Sequence, residues 1–82
     1  MKIVIYGKKG DAQTVAFKNF LRMAEIPFEY KSVIEDEEAH KHTRELYDGA
    51  LRFPTLFVDD EVYLRPTSDT FNKVMKELKL RG

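Results

Sequence analysis

The chain opens with Lys2-Ile3-Val4-Ile5-Tyr6, continues through Gly7-Lys8-Lys9-Gly10, and then enters Asp11-Ala12-Gln13-Thr14. Residues 2–6 form a short β-branched and aromatic run bounded by glycine, which is typical of a strand buried on both faces of a sheet. From about residue 12 to residue 24 apolar side chains recur at spacings of three and four, which predicts an amphipathic helix capped by Asp11. The opening therefore predicts a central strand followed by a helix that packs on the sheet.

The middle of the chain repeats this strand and helix order. Residues 28–32 alternate apolar and polar side chains, as expected of a half-exposed strand near a sheet edge. Residues 36–47 predict a second helix, because carboxylates fill its first turn and apolar side chains form its inner stripe. Asp48-Gly49 ends that helix.

The last third of the chain predicts a hairpin and a final helix. Residues 54–58 and 61–64 flank a two-residue link, which is too short for a crossover and therefore joins antiparallel strands. Thr67 is placed to cap a helix whose apolar residues follow the i, i+3, i+4, i+7 pattern. We therefore predict one α/β domain over residues 1–82, in the order β-α-β-α-β-β-α. Its four-stranded mixed sheet has the first and third strands at the centre and helices on both faces.

Charge and composition argue against several classes of partner. Fourteen Lys and Arg residues balance fourteen Asp and Glu residues, so no global field attracts the protein to nucleic acid or to an anionic membrane. No apolar run approaches the roughly 18 residues that span a bilayer, and the opening run is shorter than the roughly 7 to 15 residues of a signal-peptide core. We therefore expect a soluble cytoplasmic protein that binds neither nucleic acid nor membrane.

Over essentially its whole length the chain resembles the glutaredoxin branch of the thioredoxin-like superfamily. Residues 2–6 with Lys8 resemble the first strand and the lysine before the redox motif, and residues 15–21 resemble the helix after it. Arg52-Phe53-Pro54-Thr55 stands where the family has a Thr-Val-Pro segment, and residues 61–64 precede the place of the family's Gly-Gly turn. This resemblance implies a thioredoxin-like fold of the glutaredoxin type.

The sequence departs from the family pattern at the residues that carry out the family's chemistry. Asp11-Ala12-Gln13-Thr14 stands in place of Cys-x-x-Cys, and the sequence contains no cysteine. Thiol–disulfide exchange needs a thiolate that attacks sulfur, so neither the dithiol nor the single-cysteine mechanism of the family carries over. Iron–sulfur ligation through the first cysteine of the motif does not carry over either. Arg65-Pro66 replaces the Gly-Gly turn and removes the glycines that permit close backbone approach to glutathione. We therefore predict a redox-inactive glutaredoxin-like protein and expect no enzyme activity.

Asp11 and Thr14 occupy the two cysteine positions. Asp11 is predicted to cap the helix, a contribution of about 1 kcal/mol to stability. The alternative, a general base, must take up a proton, whereas a helix N-terminus and the neighbouring Lys8 and Lys9 stabilise the ionised carboxylate. Thr14 could act as a nucleophile only beside a base, and no histidine is near it in sequence. We therefore assign no catalytic role to either residue.

The resemblance also implies a ligand groove at a cis Phe53-Pro54 bond, where the backbone of Phe53 would pair with an extended peptide or with glutathione. Basic side chains are expected on its rim, and the last helix offers amide N–H groups at its start, so the groove suits a carboxylate-bearing ligand. Scattered surface charge is the alternative explanation for the cations. The candidate ligand-binding residues are Lys8, Arg52, Phe53, Pro54, Arg65, Ser68 and Asp69.

Two histidines suggest a metal site, but their spacing argues against it. His40 and His42 lie two residues apart, which on a helix directs their side chains about 200 degrees apart. They cannot share one metal ion with Glu37 or Glu38 unless the helix breaks. We therefore predict no metal.

Three functions remain open from the sequence. The leading hypothesis is an interaction module that binds an unknown protein or small thiol peptide in the groove and needs no cofactor. The alternative is a protein or enzyme that binds glutathione or a related γ-glutamyl thiol, with the ligand supplying the sulfur. The third is a structural subunit in which exposed apolar residues such as Phe20, Met23 or Tyr63 form a homodimer face. We expect a monomer or a weak homodimer.

Overall fold

The computed structural model describes residues 2–81 of the chain. Seven elements follow one another in the predicted order β-α-β-α-β-β-α. They are β1 (Ile3–Gly7), α1 (Ala12–Met23), β2 (Glu29–Ser32), α2 (Glu37–Leu46), β3 (Thr55–Val58), β4 (Glu61–Leu64) and α3 (Ser68–Arg81). The predicted bounds differ from these only at the ends of elements, and Gly7, expected to bound the first strand, belongs to β1.

One mixed sheet contains all four strands in the order β2-β1-β3-β4. β1 pairs in parallel with β2, because α1 carries the chain back across the sheet between them. β1 and β3 are antiparallel, and Asp59-Asp60 joins β3 to β4 as a tight antiparallel hairpin. The prediction that the first and third strands lie at the centre is confirmed, and β2 and β4 form the two edges.

Alternate residues of β1 and β3 supply two cores, one on each face of the sheet. The larger core lies between the sheet and the helices α1 and α3, and consists of Ile3, Ile5, Phe17, Leu21, Leu56, Val58, Phe71, Val74, Met75 and Leu78. The smaller core lies under α2 and consists of Tyr6, Val33 and Ala39, with Val4, Leu51, Phe53 and Phe57 packed against it. Helices therefore cover both faces, as predicted from the two periodicities.

Polar side chains begin the second and third helices. Asp36 Oδ1 accepts a hydrogen bond from the Ala39 N–H at 3.0 Å, and Thr67 Oγ1 accepts one from the Thr70 N–H at 3.2 Å. Each bond satisfies an amide that has no partner inside the helix. None of the helices in residues 2–81 is both long and apolar enough to cross a membrane.

Candidate functional site

Asp11 and Thr14 together form the cap of α1. Asp11 Oδ2 accepts one hydrogen bond from the Thr14 N–H at 2.9 Å and a second from the Thr14 hydroxyl at 2.8 Å. The Asp11 backbone is extended, with φ −73° and ψ 123°, as an N-cap residue requires. The sequence therefore predicted the role of Asp11 correctly, and the second bond adds a side-chain link between the two former cysteine positions.

Thr14 is enclosed rather than presented to solvent. Its side chain is 1% exposed and lies directly against the backbone of β1 at Gly7. A Cβ atom on Gly7 would overlap Thr14 Cγ2 and lie 2.6 Å from Thr14 Oγ1. Gly7 is therefore needed for this close approach, and the buried hydroxyl, already bonded to Asp11, is inaccessible to a substrate.

A groove lies next to this cap, between the loop after β1 and the segment before β3. One half is lined by Lys8, Lys9, Gly10, Asp11, Ala12 and Phe53, and the other by Asp11, Leu51, Arg52, Phe53 and Arg65. Because Asp11 and Phe53 line both halves, we treat them as one site, the Phe53 groove. Its larger half, of about 330 Å³, is at the lower end of the roughly 300 to 1,000 Å³ that small-molecule sites occupy.

The Phe53 groove is cationic although the whole chain has no net charge. Lys8 and Lys9 are exposed in one half, and Arg52 and Arg65 are exposed in the other. The acidic residue of the lining is Asp11, and its Oδ2 already accepts two hydrogen bonds within the chain. This arrangement favours an anionic ligand, because arginine and lysine form charge-assisted hydrogen bonds with carboxylates.

The backbone beside the groove is available for pairing. Within residues 2–81, neither Arg52 nor Phe53 makes a backbone hydrogen bond, whereas β3 begins its ladder with β1 at Thr55. The Phe53–Pro54 peptide bond is cis, and Pro54 is buried at the start of β3. Phe53 is half-buried and packs against the smaller core, so the site includes fixed main-chain donor and acceptor groups.

Tyr47 fixes the far wall of the groove. Its hydroxyl lies 2.7 Å from Thr55 Oγ1 and accepts a hydrogen bond from the Arg65 N–H at 3.1 Å. The same N–H donates to the carbonyl oxygen of Pro54 at 3.0 Å. Arg65 has a φ of +45°, the left-handed region that favours glycine, and it stands where the family pattern has its Gly-Gly turn. The predicted second helix, over residues 36–47, ends at Tyr47, but the sequence gave no sign of this hydroxyl contact.

The seven predicted ligand-binding residues do not all share one site. Lys8, Arg52, Phe53 and Arg65 meet at the Phe53 groove, and Pro54 is buried next to Phe53 without lining the groove. Ser68 lines a separate cleft between α1 and α3, and its hydroxyl accepts a hydrogen bond from Gln13 Nε2 at 3.3 Å. Asp69 lies in the first turn of α3. Lys9, which sequence reasoning treated only as a neighbour of Asp11, joins the groove.

His40 and His42 contact different partners. His40 Nδ1 lies 2.9 Å from the Val33 carbonyl oxygen, and His42 Nδ1 lies 2.9 Å from the Tyr6 hydroxyl. In the described part of the chain, no three histidine, aspartate or glutamate side chains come together as a metal site.

Burial raises the pKa of Tyr6, and Asp36 and Glu38 add to the rise while Lys31 opposes it.

Comparisons with known proteins bear on the family and the fold. The Glutaredoxin family model matches residues 3–63. No curated protein matches the chain. Among solved structures, the thioredoxin-like protein BC3987 is 25% identical with a TM-score of 0.73, and the alignment covers 94% of this chain and 99% of that one.

Two further structures share the fold. NrdH-redoxin from Escherichia coli is 24% identical with a TM-score of 0.71, covering 90% of this chain and 95% of the other. Glutaredoxin from Archaeoglobus fulgidus is 18% identical with a TM-score of 0.69, covering 92% and 86%. The predicted thioredoxin-like architecture is therefore confirmed.

Proposed function

The chain belongs to the glutaredoxin family, and we propose that it uses this fold as a non-catalytic binding module for an extended, carboxylate-bearing peptide. Cysteine-based thiol–disulfide exchange is excluded because the sequence has no cysteine. The ligand would occupy the Phe53 groove, which Asp11 lines as the cap of α1.

The juxtaposition of unpaired backbone and cationic side chains supports this function. An extended peptide can hydrogen-bond through its main chain to the N–H and C=O groups of Arg52 and Phe53, as in other edge-pairing modes of recognition. A carboxylate of the same ligand would then meet the guanidinium of Arg65 or the ammonium of Lys8. Main-chain pairing supplies affinity for any extended peptide, whereas the cations select acidic ones.

Glutathione or a related γ-glutamyl thiol is the second candidate ligand. The cations are divided between the two halves of the groove, with Lys8 and Lys9 at one end and Arg52 and Arg65 at the other. A tripeptide that carries a carboxylate at each end matches that division of charge. Any sulfur chemistry would then depend on the thiol of the ligand.

An NMR titration of the isotope-labelled chain tests both candidates. Reduced glutathione and an acidic hexapeptide serve as separate probes, and saturable amide shifts are expected at Lys8, Phe53 and Arg65. Arg65→Gln should weaken binding about fivefold, the loss of roughly 1 kcal/mol expected for one exposed charge-assisted contact. Lys73→Gln, which removes an exposed cation from α3 outside the groove, is the matched control and should leave the affinity unchanged.

The two probes separate the candidates. Saturation by the hexapeptide alone would support the peptide module, and tighter saturation by glutathione would support the second candidate. Flat spectra with both probes, or equal losses in Arg65→Gln and Lys73→Gln, would contradict a ligand site in the Phe53 groove.

A further inference from the structure

The two edges of the sheet differ in how they are protected. An edge strand presents unpaired N–H and C=O groups, and proteins commonly place charged side chains there to prevent pairing with another chain. β2 follows this rule, because it carries Glu29 and Lys31 on the face of α2. β4 instead exposes Val62 and Leu64 on that face, with 45% and 49% of each side chain open to solvent.

The hairpin fixes which backbone groups of β4 point away from the sheet. In an antiparallel ladder alternate residues bond to the neighbouring strand. The two-residue turn pairs Val58 with Glu61, and the Arg65 N–H donates to Pro54, so Glu61, Tyr63 and Arg65 are the residues that bond to the β3 side. The backbone groups of Val62 and Leu64 therefore point outward, on the same two residues that expose apolar side chains.

The sequence Glu61-Val62-Tyr63-Leu64-Arg65 is complementary to itself in the antiparallel direction. We propose that two copies of this chain pair through β4, with a two-fold axis at Tyr63, and join their sheets into one. Val62 then lies opposite Leu64 of the second copy, and each such pair can exchange two backbone hydrogen bonds. Glu61 at the start of one β4 then lies near Arg65, which directly follows β4 of the second copy, so opposite charges stand at both ends of the interface.

Neighbouring contacts support this register. Glu61 Oε2 accepts a hydrogen bond from the Tyr63 hydroxyl at 2.5 Å, which holds the carboxylate along β4. Val62 is paired with Phe57, and Phe57 with Val4, so the sheet already carries an apolar row that is incompletely covered on the face of α2. Leu64 of the second copy would extend this row. The interface is small, so a weak dimer is expected.

Sedimentation equilibrium of the full chain, at increasing concentration, tests the pairing. Leu64→Lys should weaken association at least tenfold, because an edge lysine opposes strand pairing and two copies of the change meet the interface. Ile34→Lys is the matched control, since Ile34 is an exposed apolar residue outside the sheet edge, and it should sediment like the parent chain.

A charge exchange tests the antiparallel register itself. Glu61→Arg places arginine opposite arginine at both ends and should weaken the dimer about tenfold. Combining it with Arg65→Glu restores opposite charges and should return the association constant to within about threefold of the parent value. Failure of the double variant to recover, with both variants folded by circular dichroism, would overturn this register.

The unmodified chain gives a check that needs no variant. Amide resonances of residues 61–65 should shift with protein concentration, while those of the β2 edge should not. A monomer at all concentrations up to millimolar, or concentration-dependent shifts confined to another surface, would overturn the proposal. The Phe53 groove titration can be run on the Leu64→Lys variant, which changes no residue that lines the groove. Its result then does not depend on whether two copies pair.

Discussion

Replacing Gly7 with alanine should destabilise the fold through one identifiable collision. The added Cβ would overlap Thr14 Cγ2 and lie 2.6 Å from Thr14 Oγ1. Thr14 cannot turn away easily, because its side chain is buried and its hydroxyl is bonded to Asp11. Overpacking of this kind costs about 1 to 3 kcal/mol, and we expect Gly7→Ala to lower the free energy of unfolding by about 3 kcal/mol.

Thr14→Ala provides the second side of a double-mutant cycle. It removes the two closest atoms, Cγ2 and Oγ1, and leaves the Cβ of residue 14 at 3.0 Å from the added one. On its own it loses a buried methyl group and one hydrogen bond, about 2 kcal/mol in total. If the two effects were independent, Gly7→Ala/Thr14→Ala would lose about 5 kcal/mol. With most of the collision relieved, and only the tight Cβ contact left, we expect a loss of about 3 kcal/mol, which is a coupling energy of about 2 kcal/mol.

Urea unfolding followed by far-ultraviolet circular dichroism gives the free energy of unfolding of all four proteins in this cycle: the parent, the two single variants and the double variant. Gly10→Ala is the control: Gly10 has a φ of +87° and nothing lies within 4 Å of an added Cβ. That change should cost about 1 kcal/mol through backbone strain alone, and Thr14→Ala should not rescue it. Additivity of Gly7→Ala and Thr14→Ala within about 0.5 kcal/mol would refute the assigned contact.

Two other predictions concern Asp11 and Tyr6. Asp11→Ala should lower the free energy of unfolding, measured in urea, by about 1 kcal/mol. Asp11→Asn should lower it much less, because asparagine keeps a capping oxygen. Equal losses in the two variants would contradict the cap. Burial raises the pKa of Tyr6 above the value of about 10 that tyrosine has in the unfolded chain. The stability that neutral Tyr6 contributes is therefore fully present below a pH of about 10 and is lost as the pH rises through the pKa of Tyr6 in the folded protein. Tyr6→Phe should therefore flatten the alkaline fall in unfolding free energy, and an unchanged slope would assign that fall to other groups.

Local patterns in the sequence were sufficient for the architecture. Apolar spacing located α1 and α3, and the two-residue link at Asp59-Asp60 required the hairpin, because such rules depend on residues close together in the chain. The cap at Asp11 could be predicted for the same reason.

The contacts that shape the site were harder to predict because they join distant segments. Nothing near Tyr47 in sequence indicates that its hydroxyl bonds to Arg65, and the need for glycine at position 7 appears only once Thr14 packs on β1. Ser68 was expected to offer its backbone N–H at the groove, and its side chain lies in the cleft between α1 and α3, bonded to Gln13. The direction of a side chain at a helix start depends on tertiary packing.

The cap at positions 11 and 14 also determines how the site responds to its surroundings. In a glutaredoxin with both cysteines, these positions can be joined or separated by electron transfer, so the end of the helix has two covalent states. Here the Asp11 carboxylate and the Thr14 hydroxyl maintain one non-covalent link that gains and loses no electrons. The Phe53 groove beside it should therefore keep the same shape under oxidising and reducing conditions, which suits a receptor whose occupancy follows ligand concentration alone.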